Sequence, residues 1–156
     1  MTPQYTTLYQ QIKSLIANET NVVGVLANVS AALREAFPER FFWVGFYLKV
    51  GDGMLKLGPF QGSVACYNIP YGKGVCGTAW KEGRTLVVPD VEAFPGHIAC
   101  SSLSRSEIVV PMYDSAHQFW GVLDIDSTAL ADFDEPDQEG LEAIVALVMD
   151  EIGDLM

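Results

Sequence analysis

Apolar residues recur at helical spacing from the start of the chain. Leu8, Ile12, Leu15 and Ile16 share one face behind Thr2-Pro3, a pair that suits a helix start. Val22, Leu26, Val29 and Leu33 form a second stripe, which predicts a helix over residues 21–37 with Pro38 as its stop. The pattern then changes. Residues 42–48 are aromatic and branched, as strands are, and Gly51-Asp52-Gly53 supplies a turn into a second strand over 54–60. Residues 66–70 read as a further short strand.

Glycines dominate residues 71–77, and a short helical stretch over 78–81 follows, ended by Gly83. Leu86-Val87-Val88 reads as a brief strand, and residues 89–106 as a long polar loop. Loops of that length inside a domain are usually functional. Strands over 107–112 and 119–126 precede a last helix from Pro136 to about Leu155, with Asp134 as N-cap and Asp137 at the positive end of its dipole. Short connections between strands favour a mainly antiparallel sheet with helices on one face, an α+β class. The chain has no internal repeat and no linker, so one domain is expected over residues 1–156.

Composition narrows the function. Of 156 residues, 49% are hydrophobic and 19% charged, enough to bury a core. Nine basic against 20 acidic residues leave a net charge of −11, which disfavours nucleic acid and anionic membrane surfaces. No apolar run has the length of a membrane span, and no export signal is visible, so a soluble cytoplasmic protein is expected. Cys66, Cys76 and Cys100 are an odd set for a reducing compartment. They read as core residues, metal ligands or redox chemistry.

Several motifs compete for this chemistry. Gly72-Lys73-Gly74-Val75-Cys76-Gly77 matches G-x-G-x-x-G, but Pro70 upstream and the early stop at Gly83 do not fit a dinucleotide fold. The glycines would still let backbone amides approach an anion such as a carboxylate. Only His97-x-x-Cys100 has zinc-knuckle spacing, so no metal is expected. A calcium loop from Asp124 fails because its sixth position is Ala129. Strand alternation explains Asp124 and Asp126 better. They share one face while Leu123 and Ile125 enter the core, and Glu107 opens the neighbouring strand. Three carboxylates then line one end of a sheet, either as a site or as a solvated acidic face. Trp43 and Tyr47, four apart on one strand, are candidates for a pocket wall or for plain packing.

Four stretches together resemble the free methionine-(R)-sulfoxide reductases, a GAF-fold family. They are Tyr71-Gly-Lys-Gly-Val-Cys76-Gly-Thr-Ala, Pro95-Gly-His97-Ile-Ala-Cys100, Ser106-Glu107-Ile-Val-Val-Pro and Gly121-Val-Leu-Asp124-Ile-Asp126-Ser-Thr. The resemblance implies a six-stranded antiparallel sheet with flanking helices and a small closed pocket. It implies reduction of free L-methionine (R)-S-oxide, no cofactor, and recycling by thioredoxin. Cys100 would be the nucleophile that becomes a sulfenic acid, Cys66 its resolving partner through a disulfide, and Cys76 a further exchange partner. Glu107, Asp124 and Asp126 would bind substrate and hold the sulfoxide oxygen, with Trp43 and Tyr47 shaping the cavity. A second copy of the chain stays open as a partner. The rival from another class is a non-catalytic GAF sensor of a small ligand or of oxidation.

The chemistry has its own demands. Lowering a thiol pKa from ~8.5 by about two units raises the thiolate fraction at pH 7 roughly 25-fold. Nucleophilicity falls about 6–10-fold over the same range, so the net gain is only a few-fold. General acid catalysis is worth roughly 10²–10⁴-fold. Crowded carboxyls in a closed site, one of which keeps its proton, are therefore the larger lever. A sulfenic acid also needs a second thiol to condense with before it over-oxidises. Cys100 sits in the polar loop, Cys66 in a more apolar strand, and the loop over 89–106 is the candidate lid.

Overall fold

A computed structural model describes residues 1–98 and 100–155; Ala99, inside the His-Ile-Ala-Cys stretch, and Met156 lie outside the described residues. Helix α1 (Pro3–Ile16) starts where Thr2 Oγ1 accepts from the Tyr5 amide, and α2 (Val22–Ala36) where Asn21 Oδ1 accepts from the Gly24 amide. Strands β1 (Trp43–Val50), β2 (Met54–Gln61) and β3 (Asn68–Pro70) run outward in sequence as an antiparallel meander. The chain crosses through α3 (Gly74–Glu82) to the opposite edge at β4 (Leu86–Val88). A 3₁₀ turn at Val91–Ala93 interrupts the long loop. Then β5 (Ser106–Tyr113) and β6 (Phe119–Ser127) bring the chain back beside β1. The six strands lie in the order β3-β2-β1-β6-β5-β4, all antiparallel, and α4 (Glu135–Ile152) closes the chain.

The sheet is covered on both faces. Helices α1, α2 and α4 pack on one, over a core that includes Leu26, Leu33, Phe41, Phe46, Ile108, Leu123 and Ile125. Helix α3 packs on the other, so the expectation that helices occupy one face holds for three of them. Its core holds Trp43, Tyr47, Leu55, Ile69, Val75, Val109 and Val122. Alternation along β6 divides these sets: Leu123 and Ile125 face the three long helices, Val122 and Asp124 the α3 side.

Two boundaries differ from the sequence expectation. Helix α3 begins at Gly74, four residues before the predicted start, because its glycines are packing devices as well as breakers. Gly74 opens the helix at φ +62°, and a Cβ at Gly77 would strike the Pro70 carbonyl. Cys66 lies in the loop between β2 and β3, since the short strand there spans only Asn68–Pro70.

A buried polar network ties the helical layer to the end of β6. Tyr5 Oη donates to Asp137 Oδ1 at 2.6 Å, and Arg40 Nη2 to Asp137 Oδ2 at 2.6 Å. Asp137 also completes a reciprocal capping box with Asp134. Burial pushes the Asp137 carboxyl up, but hydrogen bonds from Arg40 and Tyr5 outweigh it and hold the carboxyl below the ordinary aspartate range. The depressed pKa means that this contribution is complete above about pH 4 and disappears as the pH falls further. Asp137→Asn is expected to destabilise the fold by about 2–3 kcal/mol at pH 7 in urea titrations, and by less below pH ~3.5. An equal loss at both pH values would show that the charge is not what matters.

Candidate active site

Strand register builds the site. Glu107 on β5 lies opposite Asp126 on β6, and Asp124 sits two residues along on the same face. On the other side of β6, Trp43 pairs with Asp126 and Gly45 with Asp124. The three carboxyls thus lie on the face of the central strands, under cover, and not at a solvated end of the sheet. Glu107 and Asp124 are only 6% and 5% exposed. The cover consists of the first turn of α3, the loop over 97–104, and Val64-Ala65. Between cover and sheet is a cavity of about 40 Å³, lined by Trp43, Tyr47, Cys76, His97, Cys100, Ser104 and the three carboxyls, among others.

Burial dominates the electrostatics. It raises the Glu107 and Asp126 carboxyls well above their ordinary range, and the Asp124 charge beside them adds to the shift. Both are thereby weaker acids than ordinary carboxyls, with the neutral form favoured. Burial also raises Asp124, but hydrogen bonds from Glu107 and Cys76 and the charge of His97 act against it, so Asp124 is the member that ionises first. Its Oδ1 is fully buried with no hydrogen-bond partner, an acceptor aimed at the cavity. Cys76 Sγ is 4.0 Å from Glu107 Oε2, and burial next to these acids raises its thiol, leaving it protonated.

Cys66 and Cys100 are joined by a disulfide between two loops, with Cα atoms 5.4 Å apart. The aromatic pair does more than wall the cavity. Trp43 stacks on Tyr47 and Phe60, and Trp43 Nε1 donates to the Ser63 carbonyl at 3.0 Å. Tyr47 Oη donates to the Cys66 carbonyl at 3.1 Å, so both rings hold the loop that carries Cys66. Sequence reasoning missed Ser104, whose hydroxyl lies near enough to Asp126 to favour its ionised form, and the lining residues Val75, Ile98 and Ser101. They belong to loops or to a glycine-rich helix start, where no periodicity marks them.

Helix α3 starts without a side-chain cap, and its first three residues line the cavity. This is what an anion needs at a helix N-terminus. Donor atoms of Cys76, Glu107 and Asp124 lie within 4.8 Å of one another. Metal ligation requires deprotonated groups, however, and burial works against deprotonation of the Cys76 thiol and the Glu107 carboxyl. The set suits proton donation and cation binding.

A two-sided sheet with a small enclosed recess under α3 is the architecture of a small-molecule-binding module, and the comparisons give its class. The family model described as "GAF domain" matches residues 16–152. "GAF domain-containing protein A" of Dictyostelium discoideum is 55% identical over 93% of this chain and 90% of its own length. "Free methionine-R-sulfoxide reductase" of Escherichia coli is 46% identical over 91% of this chain and 84% of its own length. The crystal structure of free methionine-R-sulfoxide reductase from Neisseria meningitidis in complex with its substrate superposes with a TM-score of 0.91. It is 51% identical and covers 96% of this chain and 88% of its own. The chain belongs to the GAF domain family and, within it, to the free methionine-R-sulfoxide reductases.

The buried acids make a stability prediction with a definite sign. A folded-state pKa above the unfolded one means that stability is complete below about pH 4 and is lost as the pH rises. Replacing such a group by its neutral isostere removes that loss. Asp126→Asn is expected to melt at a higher temperature than the parent at pH 7 and at an equal or lower one near pH ~3.5. A lower Tm at pH 7 would overturn the assignment of a buried, protonated Asp126.

Proposed function

We propose that the protein is a thiol-dependent reductase of free L-methionine (R)-S-oxide, with Cys100 as nucleophile, Cys66 as resolving cysteine and the buried acids as proton source. One observation carries this reading: the Cys66–Cys100 disulfide lies at a cavity that is also lined by a cluster of carboxyls whose neutral form burial favours. A solvated acidic face or a structural disulfide accounts for neither half of that pairing.

In the reduced enzyme the Cys100 thiolate attacks the sulfoxide sulfur. Glu107 or Asp126 gives a proton to the oxygen as charge develops there, and oxygen passes to Cys100 as a sulfenic acid while methionine leaves. Cys66 then displaces the hydroxyl from sulfur, forming the disulfide and releasing water. Asp124, the first acid to ionise, has a free buried oxygen suited to the substrate ammonium. The uncapped start of α3 offers amides to the substrate carboxylate. Trp43 and Tyr47 supply the apolar wall for the thioether chain. Cys76, buried and protonated on the same cavity wall, is the further exchange partner and a slow one.

About 40 Å³ is room for water-sized groups and too little for a free amino acid. The disulfide joins the loop over 89–105 to the loop over 62–67, so its reduction frees the cover to open, with the longer loop as lid. Thioredoxin is the reductant, in a cytoplasmic setting. Three cysteines, of which two form a pair beside the acid-lined cavity, suit a compartment in which disulfides are transient. No described helix is long and apolar enough to cross a membrane.

The direct assay incubates the protein with each sulfoxide epimer and dithiothreitol and measures methionine. Product from the R epimer is expected. Its absence would leave a non-catalytic GAF sensor as the better reading. Cys100→Ser is expected to abolish turnover, whereas Cys66→Ser is expected to spare the first turnover and to impair recycling. Full multiple turnover by Cys100→Ser would overturn the role assignment. Glu107→Gln, which loses the acid and keeps the shape, is expected to lower kcat by roughly 10²–10⁴-fold. A kcat within about three-fold of the parent would remove Glu107 as proton donor.

A further inference from the structure

We propose that the apolar collar around the Cys66–Cys100 disulfide is the docking face of the protein dithiol that recycles the enzyme, and that its thiolate attacks Cys66. The inference rests on the reductase reading and adds to it a surface, a charge pattern and the sulfur attacked.

The collar stands out by exposure. Among the described residues the two most exposed large hydrophobic side chains are Val64 at 86% and Tyr67 at 76%, and they flank Cys66. Leu103, 59% exposed, lies three residues after Cys100. With the paired Cα atoms 5.4 Å apart, and a residue spanning at most ~3.6 Å of chain, each of the three lies within about 11 Å of its cysteine. Single exposed apolar residues need no explanation, but three gathered at a redox bond mark an interaction site. The small apolar face of a transient redox encounter has this character.

Charge identifies the partner's rim. The chain has 29 charged residues, 9 basic and 20 acidic, yet residues 57–72 and residues 93–104 contain no Lys, Arg, Asp or Glu. The positions bounding these two stretches are Lys56, Lys73, Arg105 and Glu92, so three of the four are basic; those three are exposed. Lys56 also hydrogen-bonds Asn68, the neighbour of Tyr67. On a surface of net charge −11, an acidic partner is repelled almost everywhere and admitted here. The fitting occupant is therefore a dithiol oxidoreductase with apolar residues beside its thiol and carboxylates around them.

The sulfur attacked follows from the two cysteines' surroundings. Cys100 lines the cavity, whereas Cys66 does not and sits between the exposed Val64 and Tyr67. A thiolate arriving over the collar forms a bond to Cys66 Sγ, the Cys66–Cys100 bond breaks, and its electron pair leaves on Cys100. The partner's second thiol, losing its proton to solvent, then displaces Cys66 as a thiolate, which takes up a proton. The partner is oxidised to its disulfide as both cysteines are reduced. The order of events places the thiolate on Cys100, inside the cavity, where the next substrate needs it.

Thioredoxin and dithiothreitol serve as paired probes with saturating sulfoxide. The double variant Tyr67→Ser, Leu103→Ser is expected to raise KM for thioredoxin by roughly ten-fold, and Lys56→Glu by several-fold, while turnover with dithiothreitol stays within about two-fold of the parent. Tyr67→Phe keeps the apolar ring and is expected to behave as the parent. Thioredoxin lacking its second cysteine is expected to be trapped on Cys66 in peptide maps. An unchanged KM for thioredoxin, a parallel fall with dithiothreitol, or trapping on Cys100 would each overturn the proposal. Parent enzyme that turns over with dithiothreitol but not with thioredoxin also overturns it and leaves the reductase reading intact. Failure with dithiothreitol too removes both.

Discussion

Three carboxyl groups gathered on the face of the central strands, Glu107 and Asp124 buried and Asp126 partly so, set the terms for the rest of this molecule. Glu107, Asp124 and Asp126 lie across one strand pair, and burial opposes ionisation of all three. Ionised together in a site closed to water, they would repel and lose hydration, each at several kcal/mol. The structure meets this by sharing protons. Burial favours the neutral forms of Glu107 and Asp126, while Asp124 accepts from Glu107 and Cys76. The same device that makes the burial tolerable favours keeping acidic protons inside the cavity.

A site of that kind weakens the fold around it, and the sheet compensates on its other face. Helices α1, α2 and α4 enclose a continuous apolar core against β1, β5 and β6, fixed at its edge by the Tyr5–Asp137–Arg40 network. Strand alternation lets one stretch serve both purposes. In Leu123-Asp124-Ile125-Asp126 the apolar members anchor β6 to the helices while the acids face the cavity. Stability and chemistry occupy opposite faces of the same two strands, so each can be strong without displacing the other.

The parts of this design that follow a period were legible in the sequence. The four-residue stripes of α1 and α2, the alternation in β5 and β6 and the Asp134 cap predict elements that the structure contains, at nearly the predicted bounds. The parts that depend on non-local contacts were not. Helix α3 starts at Gly74 because the Pro70 carbonyl and the Ile98 side chain leave no room for larger residues, and neither neighbour is visible from local propensity. Cys66 belongs to a loop because only three residues after it pair with β2. Ser104 and the donations from Trp43 and Tyr47 to the loop over 62–67 arise from tertiary approach alone. The acids themselves were visible as a same-face set, but whether that face met solvent or a cover was decided by where α3 and the long loop settle.

That cover also explains why the redox pair lies on loops and not on the sheet. A nucleophile fixed on a strand would be held rigidly over the acids, with no room for substrate to enter between them. On loops, Cys66 and Cys100 can be brought to bonding distance in one state and parted in another, while the sheet keeps the proton donors in register. Trp43 and Tyr47 limit how far the Cys66 side can move, because their hydrogen bonds hold Ser63 and Cys66 to β1. On the Cys100 side, the Arg105 amide donates to the Ser127 carbonyl of β6 and the Val91 amide closes the loop on the Arg105 carbonyl. In the proposed cycle, strand-held acids and a tethered Cys66 leave the Cys100 loop as the part that must move to admit substrate.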